Sequence, residues 1–213
     1  MKPISEYNFR EIVGKFVQFK SNNLEFEYDK YIGYCYIDPS AGISIRVLSA
    51  IVGSETKALH DISIILRYDP DMNIDIYITP DEYMVQQKSF IDNIYSNNLL
   101  EALRNRTELD PYRKSTQYPD DLLLQIATYI HRKIEFETLW VRLVQIDSDG
   151  NIFAKVIEDG MFFGIGTDVA IVNNKFLGGS NVFDLANIIA VDKYVVDYII
   201  KKGRLNDIQE TQK

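Results

Sequence analysis

The chain has 213 residues, and its hydrophobic fraction of 46% and charged fraction of 25% exclude general disorder and leave room for one large or two small domains. A formal net charge of -8 and a pI near 4.8 argue against nucleic acid, because affinity for a phosphate backbone comes from Lys and Arg displacing counterions. The same field favours a basic partner or simply serves solubility. The start, Met-Lys-Pro-Ile-Ser-Glu-Tyr, lacks an apolar signal core, and no later run approaches the ~18 apolar residues of a membrane span. The cytoplasm is therefore the expected location, and no membrane partner is expected.

Ser5 can cap a first helix in which Phe9, Ile12, Val13, Phe16 and Val17 recur at helical spacing, with Arg10, Glu11 and Lys15 on the other side. After Ser21-Asn-Asn23 the period changes. Leu24, Phe26 and Tyr28 alternate with Glu25, Glu27 and Asp29, as in a half-buried strand. Further strand-like runs at 31–37, 43–52, 62–68 and 74–78 are separated by Asp38-Pro-Ser-Ala-Gly42, Gly53-Ser-Glu and Asp69-Pro-Asp-Met-Asn73. Connections this short favour an antiparallel meander. The single cysteine, Cys35, lies between Tyr34 and Tyr36 in the first of these runs. It excludes an intramolecular disulfide and reads as a small buried hydrophobe.

Thr79-Pro80-Asp81-Glu82 signals a helix start, with threonine as cap, proline at the first position and glutamate completing a capping box. This helix carries Met84, Ile91, Ile94 and Tyr95, with Asn97-Asn98 as a bend or break before Leu99, Leu100 and Leu103. A polar connector follows at 107–117. Tyr118-Pro119-Asp120-Asp121 is read as opening another helix through Leu123, Ile126, Ala127 and Ile130 to Ile134, since acidic residues begin it and His131, Arg132 and Lys133 end it. Two β-patterned runs then meet at Asp147-Ser-Asp149-Gly150-Asn151, which predicts a hairpin turned at 147–150. A third strand is expected at 167–172, then a turn at Asn173-Asn174. Gly178-Gly179-Ser180 leads to a last helix over 193–202 and a loose tail at 204–213.

The order implies an α+β protein: an antiparallel meander over about 24–78, a helical middle over about 80–135, a second small antiparallel group over about 139–172 and a C-terminal helix. Two domains, 1–106 and 119–203, are expected, with a single composite domain as the alternative.

The chemistry-bearing candidates are few. Aligning Gly150 with the glycine of an EF-hand loop puts Gln145 at the first ligand position and Val156 where a glutamate belongs, so the Asp-rich turn is read as a turn and no metal is expected. Gly160-Met-Phe-Phe-Gly164-Ile-Gly166 superficially resembles a phosphate loop. A strand pattern follows it where a helix is required, and no Gly-Lys-Ser or Gly-Lys-Thr occurs. His60 and His131, with Cys35, make neither a recognisable triad nor a zinc set. No catalytic residue and no cofactor is assigned. A carboxylate pair assembled from distant segments stays open as a hydrolase alternative. Tyr28, Tyr31, Tyr34 and Tyr36 concentrate aromatic surface, with Tyr34 and Tyr36 on one strand face and Tyr31 on the other. Tyr28, Tyr34, Tyr36, Glu25 and Glu27 are the interface candidates.

Glu137-x-x-Trp140-Val141, then Gly150-Asn-Ile-Phe-Ala-Lys-Val and Gly164-Ile-Gly166-Thr-Asp-Val169, resembles a small β domain of uncharacterised bacterial proteins over about 137–190. The chain departs from that pattern by lacking an Asn-x-Pro after the second strand and by having Thr167 beside Gly166. The resemblance implies an interaction role of the immunity or accessory type and carries no catalytic residue. The leading expectation is a non-enzymatic acidic bacterial protein that binds a more basic protein. A hydrolase and a small-ligand sensor are the alternatives.

Overall fold

The computed structural model describes residues 1–20, 28–60, 63–130, 133–173 and 188–192. The protein is α+β and divides into two compact units, Met1–Asn97 with Thr116–Pro119, and Asn98–Ser115 with Asp120–Lys213. The chain thus leaves the first unit after Asn97 and returns to it for Thr116–Pro119. The expected strand around 24–28 falls mainly outside the described residues, as do the Gly178-Gly179-Ser180 turn, the last helix and the tail.

The first unit contains strand β1 (Lys2–Pro3), a 3-10 turn (Ile4–Glu6), helix α1 (Phe9–Ile12), strands β2 (Phe16–Phe19), β3 (Lys30–Asp38), β4 (Gly42–Val52), β5 (Glu55–Ala58), β6 (Ile65–Arg67) and β7 (Asn73–Ile76), and helix α2 (Glu82–Tyr95). The strands form one antiparallel sheet in the order β1-β7-β2-β3-β4-β5, with β6 also paired to β4. The predicted first helix is corrected to a single turn. Asn8, not Ser5, caps it, and Val13 already has extended backbone. Phe16 and Val17 fit helical spacing, but β2 lies between β3 and β7 and buries both together with Phe19. A central strand satisfies its backbone on both edges and its side chains on both faces, which outweighs local periodicity.

Alternation along β3 sorts its side chains as expected. Tyr31, Cys35 and Ile37 join Ile4, Ile12, Val17 and Phe19 in one core, whereas Ile32, Tyr34 and Tyr36 join Phe16, Leu48, Met84 and Ile91 under α2. The α2 start is shifted from the expected cap: Asp81, not Thr79, accepts the Met84 amide at 2.9 Å. The helix ends at Ser96, as the asparagine pair suggests.

Cys35 is fully buried, and burial pushes its thiol from 9.0 up to about 12. Burial, with Tyr95 and Asp38 adding to it, raises Tyr36 from 10.0 to about 12. Both groups are neutral when protonated, so their raised folded values favour folding fully below their ordinary values. That contribution is lost as pH rises through about 12. Stability of this unit should therefore fall between pH 9 and about 12, with a shallower fall in Cys35→Ala, read by denaturant melts at stepped pH. At neutral pH the native thiol should resist a disulfide reagent that reacts at once with the unfolded chain.

The second unit contains α3 (Asn98–Arg104), a 3-10 turn (Thr107–Tyr112) and strands β8 (Asp121–Ile130), β9 (Lys133–Ile146), β10 (Ile152–Val156), β11 (Asp168–Asn173) and β12 (Ile188–Asp192). The strands close into a barrel, β10-β11-β12-β8-β9, antiparallel except for the β12/β8 pair. The predicted helix at 118–134 is corrected to β8 and the start of β9, so the helical middle ends at Tyr112. Leu122, Leu124 and Ile126 point into the barrel core with Leu139, Val141 and Leu143, and Leu103 and Leu109 pack on the same core. Ala127 belongs to a second cluster with Ala170 and Val191. The apolar run at 122–127 thus fits a strand buried on two sides as well as it fits a helix, and pairing with β9 decides. Closure pairs each of the described barrel strands on both sides.

Candidate functional site

The β9–β10 hairpin turns at Asp147–Asn151 as expected. Asp147 Oδ1 accepts the Asp149 and Asn151 amides at 2.9 and 2.8 Å, and Oδ2 accepts the Asn151 side-chain amide at 2.8 Å. The Asn151 side chain foremost, with the turn amides, holds the Asp147 carboxyl below its ordinary value. The carboxylate is thus used by the turn itself. Among the described residues no group of three His, Cys, Asp or Glu could hold a metal ion.

The more informative geometry lies at the β10–β11 connection. The Glu137 carboxylate on β9 accepts the Met161 amide at 2.5 Å and the Phe162 amide at 3.0 Å. The amides that a phosphate would need in this glycine-bearing segment are therefore taken by an internal anion. A Cβ on Gly160 would lie 2.5 Å from both Glu137 oxygens, so glycine there is a condition of the brace. Glu158 accepts the Trp140 amide at 2.7 Å, Asp159 accepts the Ile165 amide at 3.3 Å, and Thr167 donates its hydroxyl to Gly164 O at 2.7 Å. Backbone bonds from Gly160 to Phe163 O and from Gly166 to Val156 O, both 2.8 Å, close the loop further.

Phe163 anchors this loop in the barrel core at 4% exposure, while Met161 and Ile165 stand out at 83% and 65%. Residues 157–168 include Glu158, Asp159 and Asp168 and no basic residue. No family model, curated protein or solved structure matches this chain.

The sequence candidates fall elsewhere. Tyr34 and Tyr36 are 2% and 4% exposed under α2, where their rings build the core. Tyr34 donates to Asp92 Oδ1 at 2.5 Å, and Lys88 pairs with the same carboxylate. Tyr28 is half-buried and meets Tyr31 edge-on at 5.9 Å. Glu25, Glu27 and His131 lie outside the described residues. His60 packs edge-on against Tyr83 at 4.4 Å.

Among the described residues the buried carboxylates Asp38, Asp120 and Asp121 are each matched by an arginine. Asp120 takes Arg104 through two bonds of 2.9 and 2.7 Å, and Asp121 takes Arg142 through two of 2.6 and 2.8 Å. Asp38 meets Arg67 at 3.0 Å. Burial pushes Asp38 upward, but its bonds to Ser40 and Arg67 outweigh that and hold it below its ordinary value.

Met161 and Ile165 lie in a segment whose sequence reads as a failed phosphate loop and, from Gly164 on, as part of the family pattern, and neither reading points to exposed apolar side chains. The available signal was a run of large apolar side chains between glycines, outside any strand pattern.

Proposed function

We propose that this chain is a non-enzymatic protein-binding protein, of the inhibitor or immunity type, whose barrel unit grips a basic partner with the loop between β10 and β11. The carrying observation is the exposure of Met161 and Ile165, 83% and 65%, on a loop braced by Glu137 and Asp159. A braced loop backbone has less freedom to lose on binding, so the apolar area that Met161 and Ile165 bring to an interface is offset less by ordering. The acidic residues beside them steer a basic surface onto the loop. The interaction role implied by the Glu137-x-x-Trp140-Val141 resemblance agrees with this reading.

The test is affinity capture from the native host with the wild-type chain and a Met161→Ser/Ile165→Ser variant. A stoichiometric basic protein should bind the wild type with an on-rate that falls as salt rises. The variant should unfold at the same midpoint and bind at least about tenfold more weakly. Undiminished binding by the variant, or salt-independent association, would overturn the proposal.

A further inference from the structure

The barrel strands are apolar on their outer face as well as inside. Phe153 on β10 is the register partner of Ala170 on β11, Ala170 of Val191 on β12, Val191 of Ala127 on β8, and Ala127 of Phe136 on β9. One row thus crosses the barrel strands, with small side chains in the middle and a phenyl ring at each end. These residues and Val172 form a cluster of their own, on the face opposite to Ile126, Ile171 and Ala190, their chain neighbours in the inner core. Yet Ala127, Ala170 and Val191 are only 3%, 2% and 2% exposed. The methyl groups of the two alanines beside it are too short to shield Val191, so other side chains lie over the row. Among the described residues only strands contribute to this cluster, whereas α3 and the 3-10 turn send Leu103 and Leu109 to the inner core.

Whatever covers the row has to satisfy its own backbone. Ala127, Val191 and Ala170 each have a strand partner on both sides, which leaves no edge there for a further strand and favours a helix, whose bonds run within itself. The chain itself supplies one. It leaves β12 at Asp192, directly after Val191 in the middle of the row, and aspartate is a preferred cap at a helix start. The barrel unit extends to Lys213. At the helical spacing expected for 193–202, Val195, Val196, Ile199 and Ile200 gather on one side, with Asp197 and Lys201 on the other. A ten-residue helix of about 15 Å fits along a row that spans roughly 19 Å from β10 to β9. Lys193, Lys201 and Lys202 against Asp197 give the segment the opposite sign to a chain of net charge -8, which draws it inward.

We infer that residues 193–202 are a helical strap seated on this row, with Val195, Val196, Ile199 and Ile200 laid over Ala127, Val191 and Ala170 between the two phenyl rings. The strap crosses the seam at which the barrel closes. That seam, β12 with β8, is parallel and joins Ala190 to Ile126 and Val191 to Ala127, and parallel pairing is the slightly weaker kind. Apolar side chains held across it keep the two strands together and withhold the outer row from other proteins. The strap is independent of the partner-binding loop between β10 and β11.

The experiment follows thiol labelling of Ala170→Cys under native conditions, in the full chain carrying Cys35→Ala. Labelling should be slow and independent of chain concentration. It should quicken at least about tenfold in Val195→Asp/Ile199→Asp, because the site then opens locally, and stay slow in Asp197→Asn/Lys201→Gln on the other side of the helix. Trp140 fluorescence shows whether the barrel is folded in each chain. If Val195→Asp/Ile199→Asp unfolds it, Ile199→Ala takes its place and must quicken labelling while the barrel stays folded. Labelling indifferent to the apolar side, or quickened equally by changes on both sides, would sink the inference. A rate that falls as the chain is concentrated would assign the cover to a second copy and sink it as well.

Discussion

Arg104→Ala is expected to destabilise the barrel unit by about 3–5 kcal/mol, the usual consequence of removing one member of a buried ion pair and leaving the other charge uncompensated. The Arg104 side chain is 5% exposed and Asp120 is 10% exposed, and the guanidinium reaches Asp120 with Nε and Nη2 and Glu101 with Nη1 at 2.6 Å. Arg104 closes α3, and its neighbour Leu103 sits in the barrel core. The pair therefore fixes the helix to the strand that Asp120 precedes. The effect belongs to the stranded charge more than to the pair's own attraction, so Arg104→Met/Asp120→Leu should lose far less than the two single changes summed. Trp140 is the only tryptophan of the chain and lies on β9, which makes its fluorescence in a urea titration a reporter of this unit. Additive single and double effects would refute the account.

Gly42→Ala should disrupt the first unit to a similar degree, for a steric reason. Gly42 has φ +74°, and a Cβ there would lie 2.3 Å from Gln117 O and 2.9 Å from Tyr118 Cδ1. The same Gln117 carbonyl accepts the Ile43 amide at 2.8 Å, and the Gln117 side chain donates to Ala41 O at 3.2 Å. The substitution cannot be absorbed by a flexible side chain, because the nearest atom is backbone. Left-handed strain of about 1–3 kcal/mol adds to overpacking of about 1–3 kcal/mol. Cys35, the only cysteine and fully buried in this unit, reports the loss as faster thiol labelling in mild denaturant. Labelling as slow as in the wild type would show that 116–119 yields without cost.

The elements that were legible in the sequence are those in which one pattern excludes the other. β3 and β4 stand between turn residues as runs of β-branched and aromatic side chains, and the predicted faces hold for Tyr31 against Tyr34 and Tyr36. The hairpin at 147–151 is legible because Asp, Gly and Asn act locally on their own backbone. Helix α2 is legible through its start signal, although the cap slips to Asp81. At Phe16–Phe19 and Asp121–Ile130 apolar residues satisfy two periods at once, and pairing makes both segments strands: β2 with β3 and the distant β7, β8 with the adjoining β9 and the distant β12. Asp120 and Asp121 imitate the acidic first turn of a helix, yet each is placed to meet an arginine.

The candidate site shows the same division. Glu137 and Gly160 are unremarkable apart, and only the barrel brings the carboxylate onto the loop amides and leaves Met161 and Ile165 facing solvent. By itself the sequence determined the α+β class, the acidic surface, the lone buried thiol and the local turns, because composition and short-range hydrogen bonding suffice for these. Tertiary structure decided the barrel and its parallel closing pair, the strand identity of 121–130 and the exposed loop. Each of those depends on which segments supply the backbone partners, near or distant, a choice that the apolar periodicity of one segment does not encode.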